Sequence, residues 1–360
     1  MATQLLGKSV EELRALAASW GEPAYRGDQI YHALYAERRS DFARFTNLPV
    51  KLRERLAGEA EIRMPRIAKR YHSTDGSVRY LLALEGDDTK SAAPVQVEAV
   101  FMPDTKEDAR RQTICISAQA GCAVDCKFCF TAVLGLKRNI SAGEIVGQVL
   151  ATLDDQREHL LPQTNVVLMG QGEPLLNFEP VMAALRILLD PKGVGLSPKH
   201  VTLSTSGIVP GIEQMAAEPV RSKLAISLNA STDAQRDAIM PINRKYPLSV
   251  LMEACRKYPL RTWEHLTFEY VLLGGFNDAP DDARRVAKLL ANIRAKVNII
   301  PWNPGELPYK PPIQENVETF RRVLDEKGVP AFVRLSRGRD IMAACGQLAL
   351  IESSEIRAAV

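Results

Sequence analysis

The pattern of hydrophobic and polar positions divides the chain into a helical front, a strand-rich stretch and a long region in which strands and helices alternate. Over residues 1–60, apolar side chains such as Leu13 and Leu16 recur at helical spacing. Ser9 followed by Glu12 has the form of a capping box, which predicts that a helix begins there. We therefore expect a small N-terminal helical domain over residues 1–60.

Residues 61–111 have the pattern of a β-rich extension that ends in a charged linker. Two apolar runs flank Asp75-Gly76, and an Asp-Gly pair in that position predicts a β-hairpin. The next run, 95–101, predicts a further strand that contains one carboxylate, Glu98. A charged residue within such a strand usually points to solvent, so the pattern alone predicts an exposed Glu98.

Over residues 112–338, short runs rich in β-branched residues alternate with helical segments. Six such β/α units in succession predict the α/β class, with a parallel sheet and right-handed crossovers. A partial (β/α)6 barrel fits this count, and residues 339–360 follow it as a C-terminal segment. The predicted strands are 113–117, 166–169, 201–204, 223–228, 266–273 and 297–300, with a last strand-like run at 331–335.

Polar residues follow several of these strands at the end where barrel enzymes bind their ligands. Glycines there allow the backbone to approach a ligand closely. A carboxylate such as Glu173 could accept charge-assisted hydrogen bonds from a ligand's ammonium group. The recurrence at one end of the barrel predicts a ligand pocket, formed by Gly170–Pro174, Ser204–Gly207, Ser227–Asn229 and Trp302–Pro304.

The composition is that of an ordinary soluble globular protein, with 360 residues, 46% of them hydrophobic and 25% charged. The formal net charge of +3 permits a nucleic-acid partner but does not by itself indicate one. The N-terminus lacks a signal-peptide pattern, and no run approaches the roughly 20 apolar residues of a membrane span. We expect a cytoplasmic protein that does not associate with membranes.

Three of the six cysteines, Cys122, Cys126 and Cys129, lie within eight residues at the spacing C-x3-C-x2-C. Clustered thiols in a chain without a signal peptide indicate metal binding or catalysis rather than a disulfide framework. A four-iron cluster normally takes four thiolates, so three would leave one iron open to a small molecule. A structural zinc site, with a distant Cys or His as its fourth ligand, is the alternative interpretation.

With Phe128 before the last cysteine, the loop resembles the C-x3-C-x-aromatic-C signature of radical S-adenosylmethionine (SAM) enzymes. Further motifs extend the resemblance, over essentially the whole chain, to the RlmN family of dual-specificity RNA (adenine-C2)-methyltransferases. These motifs are Glu98–Pro103, Cys115 seven residues before Cys122, Gly172–Asn177, Leu203–Gly207, Ile300–Pro304 and Ala343–Leu348. Because the resemblance includes residues 1–60, it implies that the helical front docks RNA.

The resemblance implies methylation of C2 of a specific adenine in 23S ribosomal RNA and of an adenosine next to the anticodon in tRNAs. It implies one [4Fe-4S] cluster on the three clustered cysteines, with an open iron that binds SAM, and two SAM molecules per turnover. It also implies a reductant protein such as flavodoxin and a monomeric enzyme. By family position, the SAM contacts fall to Gly172, Glu173, Ser204, Ser227, Leu228, Asn229 and Asn303.

The same resemblance implies three catalytic residues. Cys345 would accept a methyl group, Glu98 would remove the C2 proton, and Cys115 would attack the resulting thioether to form a disulfide. Covalent catalysis of this kind splits one difficult step into easier ones. Cys115 and Cys345 are therefore expected to face each other beside the cluster, although 230 positions separate them. Cys255 fits a helical pattern and is expected to be a buried structural residue.

Two positions depart from the family pattern. Gln171 stands where an apolar residue is expected, and Asn229 stands where many members have histidine. Both side chains can form hydrogen bonds, so SAM binding is still expected, with different detailed contacts. One alternative within the class is a C8-specific rRNA adenine methyltransferase of the resistance type. From other classes, the alternatives are a non-catalytic RNA-binding iron–sulfur protein and a structural-zinc protein.

Overall fold

The computed structural model describes residues 2–85, 94–105, 109–305, 307–348 and 350. The strands are β1 (Thr3–Gln4), β2 (Ala60–Glu61), β3 (Arg66–His72), β4 (Val78–Leu84), β5 (Val95–Pro103), β6 (Arg111–Ile116), β7 (Gln119–Ala120), β8 (Arg138–Asn139), β9 (Gln163–Leu168), β10 (Val201–Thr205), β11 (Lys223–Ser227), β12 (Leu266–Leu272), β13 (Ala295–Pro301) and β14 (Ala331–Val333). The α-helices are α1 (Val10–Ser19), α2 (Tyr25–Tyr31), α3 (Val50–Glu59), α4 (Phe130–Val133), α5 (Ala142–Asp155), α6 (Phe178–Leu189), α7 (Val209–Ala217), α8 (Asp233–Ile239), α9 (Leu248–Lys257), α10 (Pro280–Leu289) and α11 (Gln314–Glu326).

One ten-stranded sheet, in the order β14-β13-β12-β11-β10-β9-β6-β5-β4-β3, organises the molecule. From β6 to β14 the neighbouring strands pair in parallel, and at least one helix lies between each of them and the next along the chain. The three strands β3, β4 and β5 extend this sheet in antiparallel pairing beyond β6. Within the described ranges β14 and β3 lie at the two ends of the order, so the barrel is not closed. The expected partial barrel with a strand extension is confirmed.

The helical front packs on the barrel through one continuous hydrophobic core. Leu13 and Leu52 of the front belong to the same buried cluster as Tyr80 of β4 and Phe268 of β12. Burial of each such side chain contributes about 1.5–3 kcal/mol to the free energy of unfolding. The boundaries 1–60, 61–111, 112–338 and 339–360 stay predictions of domain organisation.

Local sequence signals account well for where the first helix begins. The Ser9 hydroxyl accepts a hydrogen bond from the Glu12 amide at 3.2 Å, and the Glu12 carboxylate accepts one from the Ser9 amide at 2.7 Å. The predicted capping box is therefore confirmed. Periodicity did not predict the parallel pairing of the two-residue strands β1 and β2, or the π-helical turn His32–Ala36 that extends α2.

In the part of the chain that the structure describes, no helix combines the length and the apolar character that crossing a membrane requires.

Candidate active site

A pocket opens at the carboxyl ends of the parallel strands, with an empty volume of about 990 Å³ that is partly open to solvent. The ends of β6, β9, β10, β11 and β13 or the loops that follow them line it, together with residues of β12 and the C-terminal segment. Glu98, Cys115 and Leu228 are buried outside this lining. The other predicted site residues line the pocket: Cys122, Cys126, Cys129, Gly172, Glu173, Ser204, Ser227, Asn229, Asn303 and Cys345.

The cysteine loop is closed at its base, where β7 pairs with β8 in antiparallel orientation. Gly121 begins the loop with a φ of +76°, and a Cβ there would lie 1.8 Å from the Gly135 carbonyl oxygen. The Cys122 amide donates a hydrogen bond to that same oxygen at 3.2 Å. Asp125 also has a left-handed backbone, with a φ of +61°. These features curl the chain tightly around the three cysteines.

The three loop thiols lie close enough to affect one another's ionisation. Burial raises the pKa of Cys122 to about 12. Burial also raises the pKa of Cys126 well above its usual value, and the neighbouring Cys129 and Cys122 raise it further. Three adjacent thiolates therefore need a nearby positive charge, which bound iron would provide.

The chemistry of this donor set fits the implied cluster and SAM. Within the described ranges, no three His, Cys, Asp or Glu side chains are grouped as ligands of one metal ion. A four-iron cluster places each cysteine on a different iron, so its ligands need not share one coordination sphere. Thiolates are soft ligands suited to iron–sulfur clusters, and the same pocket carries the carboxylate and hydroxyl groups that an amino acid ligand requires.

Glu173 is a buried carboxylate in the pocket wall. Its Oε2 accepts a hydrogen bond from the Ser206 amide at 2.6 Å, and its Oε1 accepts one from the Leu175 amide at 3.0 Å. Burial raises the pKa of Glu173, while the bond from Ser206 opposes that shift. These contacts fix the carboxylate in one orientation at the end of β9, next to the loop after β10.

The side chains of Asn229 and Asn303, both predicted to contact SAM, have different hydrogen-bond partners. Asn229 has a φ of +58°, and its Oδ1 accepts a hydrogen bond from the Val271 amide at 2.9 Å. Asparagine tolerates this left-handed conformation, which gives a structural reason for its presence. Asn303 donates to the Cys345 carbonyl at 3.3 Å and accepts from Arg339 Nε at 3.2 Å. Asn303 therefore ties the pocket wall to the C-terminal segment.

Glu98 is buried, so the exposure predicted from the strand pattern was wrong. The buried Arg79 of β4 forms an ion pair with Glu98 Oε1. Glu98 Oε2 accepts hydrogen bonds from Gln171 Nε2 at 3.2 Å and from the Leu350 amide at 3.1 Å. Burial raises the pKa of Glu98, and the Arg79 charge opposes this shift. The unexpected Gln171 thus contacts the carboxylate rather than lining the pocket.

Cys115 and Cys345 are brought together from distant parts of the chain. Cys115 is buried on β6, whereas Cys345 lies in the pocket lining with an exposed residue surface. Burial raises the pKa of Cys115, and the nearby Cys345 thiol raises it further. All six cysteines, including both of these, are free thiols in this structure. Cys255 is buried in α9, as expected.

Sequence reasoning missed Glu269, which lines the pocket from the middle of β12. Burial raises the pKa of Glu269, whose Oε1 is 3.4 Å from the Asn298 Nδ2 that donates to it. The Glu269 charge in turn raises the pKa of both Cys345 and Cys115, so it lies near the thiol pair. Its only sequence signal is a carboxylate within an apolar strand, the same weak signal that Glu98 gave.

Comparisons with known proteins identify the relatives of this chain. The family model described as the radical SAM superfamily matches residues 116–290, and the model described as the ribosomal RNA large subunit methyltransferase N-terminal domain matches residues 3–62. A curated protein of Koribacter versatilis (strain Ellin345), "Probable dual-specificity RNA methyltransferase RlmN", is 49% identical over 342 residues, covering 91% of this chain and 96% of the relative. "Dual-specificity RNA methyltransferase RlmN" of Anaeromyxobacter dehalogenans (strain 2CP-C) is 46% identical, over 94% of this chain and 90% of the relative.

A solved structure has the same fold over nearly the whole chain. The radical SAM methyltransferase from Sphaerobacter thermophilus superposes with a TM-score of 0.86 at 40% sequence identity. The match covers 96% of this chain and 99% of that chain.

Proposed function

The chain belongs to the RlmN family of radical SAM RNA methyltransferases, and from that membership we propose that it methylates C2 of adenine in RNA. The proposed substrates are a specific adenine of 23S rRNA and the adenosine next to the anticodon in tRNAs. The observation that supports this proposal most directly is the proximity of the Cys115 thiol to Cys345, which lines the pocket together with the three loop cysteines. Binding of RNA alone would require neither thiol.

The proposed cofactors are one [4Fe-4S] cluster and SAM, of which two molecules are used per turnover. Cys122, Cys126 and Cys129 would hold the cluster, and the pocket residues around Glu173 would hold SAM against the open iron. When bound, these groups supply a methyl group and a 5′-deoxyadenosyl radical. The proposed setting is the cytoplasm, with a monomeric enzyme that receives electrons from a reductant protein such as flavodoxin.

The residues of the chain then divide the remaining chemistry among them. The Cys345 sulfur carries the methyl carbon, first as S-methylcysteine. That methyl group would lose one hydrogen atom to the 5′-deoxyadenosyl radical, and its carbon then bonds to C2 of the adenine. The unpaired electron left on this adduct would pass to the cluster as the C2 proton leaves. Glu98 accepts the proton that leaves C2, which requires its carboxylate form. Cys115 attacks the Cys345 sulfur as a thiolate, so the carbon–sulfur bond breaks with its electron pair on carbon and a disulfide forms. The released carbon takes up one proton to become the methyl group of the RNA. Reduction of the disulfide returns both thiols for the next cycle.

Analysis of the modified nucleoside tests the proposed reaction. Digests of 23S rRNA and tRNA incubated with the reconstituted enzyme, SAM and a reductant should contain 2-methyladenosine. If 8-methyladenosine alone appears, the resistance-type reaction is the correct assignment. A cluster-loaded protein that never cleaves SAM under reduction is instead a non-catalytic binding protein.

The variant Cys115→Ala tests the order of the steps. Without the attacking thiol, we expect a covalent protein–RNA adduct through Cys345, visible as a nuclease-sensitive band of reduced mobility in a denaturing gel. The matched control is Cys255→Ala, which removes a buried thiol of α9 that takes no part in the proposal. An adduct in neither variant contradicts the role assigned to Cys115.

A further inference from the structure

The turn between β3 and β4 contacts the segment that carries Cys345. We call residues 337–348 the carrier segment. Its regular structure is one short turn of 3-10 helix, Arg339–Ile341. Gly338, Met342 and Gly346 have left-handed backbones, with φ values of +63°, +52° and +79°. Its internal hydrogen bonds join only near neighbours, such as the Ala343 amide and the Gly338 carbonyl at 2.9 Å. Its position in the molecule therefore depends on the contacts that it makes with the rest of the protein.

Asp75 makes the most extensive of these contacts at the start of the carrier segment. Its Oδ2 accepts hydrogen bonds from Arg337 Nε at 2.8 Å and from the Gly338 amide at 2.9 Å. Its backbone oxygen accepts a third bond from Arg337 Nη2 at 2.6 Å. Arg337 and Asp75 are 26% and 32% exposed, so this ion pair is partly shielded from solvent. The planar guanidinium of Arg337 therefore donates to the turn at two points, the carboxylate and the backbone oxygen of Asp75.

The charge of Asp75 is stabilised in this position. Burial alone would raise the pKa of Asp75, but the hydrogen bonds from Arg337, the Gly338 amide and Ser77 hold it below its usual value. Asp75 is therefore ionised throughout the neutral pH range, and the ion pair with Arg337 persists there.

A second carboxylate connects the same two elements, but here the carrier segment supplies the carboxylate and the β3–β4 turn supplies the donors. Asp340 of the carrier segment accepts hydrogen bonds from the Ser73 hydroxyl at 2.5 Å and from the Thr74 amide at 3.0 Å. Each element thus supplies one carboxylate to the other. Two reciprocal contacts restrain the orientation of the carrier segment more strongly than one contact could, because they fix two points on it.

On the other side of Cys345, the carrier segment contacts the cysteine loop. The Gly346 carbonyl accepts a hydrogen bond from the Phe130 amide at 2.8 Å, and the Leu348 carbonyl accepts one from the Thr131 hydroxyl at 2.7 Å. Cys345 therefore lies between an attachment to the β3–β4 turn and one to the residues that follow Cys129, while Asn303 contacts its carbonyl and Arg339. Loss of the attachment to the turn weakens the restraint on the N-terminal side of the thiol.

We propose that Asp75 is a positioning residue for Cys345: through Arg337 and Gly338, the β3–β4 turn holds the carrier segment so that the Cys345 thiol stays within reach of Cys115. The inference rests on the proposed function for the roles of the two thiols. The Asp75-Gly76 hairpin, which is distant in sequence from Cys345, would thus help to position the thiol that carries the methyl group.

The rate of disulfide formation in the cluster-loaded protein, kept anaerobic so that Cys122, Cys126 and Cys129 remain bound to iron, tests this proposal. The thiol oxidant diamide takes two electrons and two protons from Cys115 and Cys345 as it is reduced to its hydrazine. In Asp75→Asn, the new Nδ2 group faces two donors, Arg337 Nε and the Gly338 amide. The remaining Oδ1 can still accept the hydrogen bond from the Ser77 amide, which is 2.9 Å long in the wild-type protein. We expect the Cys115–Cys345 linkage, quantified by peptide mass spectrometry, to form about tenfold more slowly because small displacements are costly for reacting groups.

The matched control is Asp281→Asn, which removes an exposed i,i+3 ion pair with Arg284 on α10. It should form the linkage at the wild-type rate. Equal rates in Asp75→Asn and in the control, at unchanged melting temperature, overturn the proposal. If Asp75→Asn does not fold, Arg337→Gln removes the same contact from the other side and is read in the same way.

Hydrogen exchange separates this proposal from the proposed function. In Asp75→Asn the amides of residues 338–343 should exchange faster, while those of α11 should not change. If the wild-type protein never forms the Cys115–Cys345 linkage, the pairing in the proposed function fails. Amide exchange over residues 338–343 then still shows whether Asp75 holds the carrier segment in place. Faster exchange in Asp75→Asn supports that role, and unchanged exchange overturns it.

Discussion

At the scale of single residues, the environment of Glu98 decides what its carboxylate can do. Both of its oxygens have partners, because Arg79 pairs with Oε1 and Gln171 donates to Oε2. Burial nevertheless raises its pKa, which makes it a stronger base than an exposed glutamate. Because a base must be deprotonated to act, product formation that depends on Glu98 should fall as the pH is lowered through this raised pKa.

The variant Gln171→Met should move that pH dependence upward. It removes a hydrogen bond that stabilises the charged form, so the pKa of Glu98 should rise further and the acid side of the profile should shift to higher pH. The measurement is the pH–rate profile of 2-methyladenosine formation at saturating SAM. Gln314→Met, which alters an exposed amide on α11, is the control. An unshifted profile would show that Gln171 does not act through Glu98.

Residue roles were the part of the site that sequence pattern alone predicted least well. Glu98 was predicted to be exposed because a strand pattern does not show whether a distant segment covers the polar face of the strand. Here Leu350, near the C-terminus, contacts the Glu98 carboxylate. Glu269 carried the same weak signal and was missed. The functional assignments of Cys115 and Cys345 came from the family resemblance, since no local pattern relates two thiols 230 positions apart.

At the scale of elements, the cysteine loop depends on a close approach of two backbones. The position of Gly121 leaves no room for a side chain, because a Cβ would overlap the Gly135 carbonyl. The sequence places the three cysteines and this glycine within one short stretch. The attachment of the carrier segment to the β3–β4 turn gave no such signal, because its partners are more than 260 positions apart.

We expect Gly121→Ala to lower both iron content and stability. The clash and the left-handed φ should cost about 1–3 kcal/mol of unfolding free energy, and relief of the clash should move Cys122. Iron per chain after reconstitution and urea unfolding measure the two effects. The control is Gly58→Ala in α3, where nothing lies within 4 Å of the added Cβ and a helical alanine should stabilise by about 0.5–1 kcal/mol. Full iron loading in Gly121→Ala would contradict this view of the loop.

At the scale of the whole molecule, the barrel, the strand extension and the helical front share one hydrophobic core. The parallel order of the strands was predictable because short buried runs alternate with helices. The contact between the helical front and the barrel was not predictable, because an apolar helix face indicates that the face is buried but not which element covers it. The pocket lies at the edge of this core, so the fold should not depend on the cofactors for its stability.

Removal of the cluster should therefore leave the fold intact. After chelation of iron, we expect unchanged far-ultraviolet circular dichroism and faster amide exchange confined to residues 121–137 and the carrier segment that contacts them. Exchange mass spectrometry before and after chelation checks this. Cooperative unfolding on loss of iron would instead show that the cluster is a structural support of the barrel.

The central claim is that Cys345 carries the methyl group, and the most direct test is mass spectrometry of peptides from anaerobically purified protein with an intact cluster. We expect the Cys345 peptide to bear one S-methyl group, while the Cys255 peptide from the same digest remains an unmodified thiol. An unmodified Cys345 in every preparation that retains its cluster and cleaves SAM would contradict the claim.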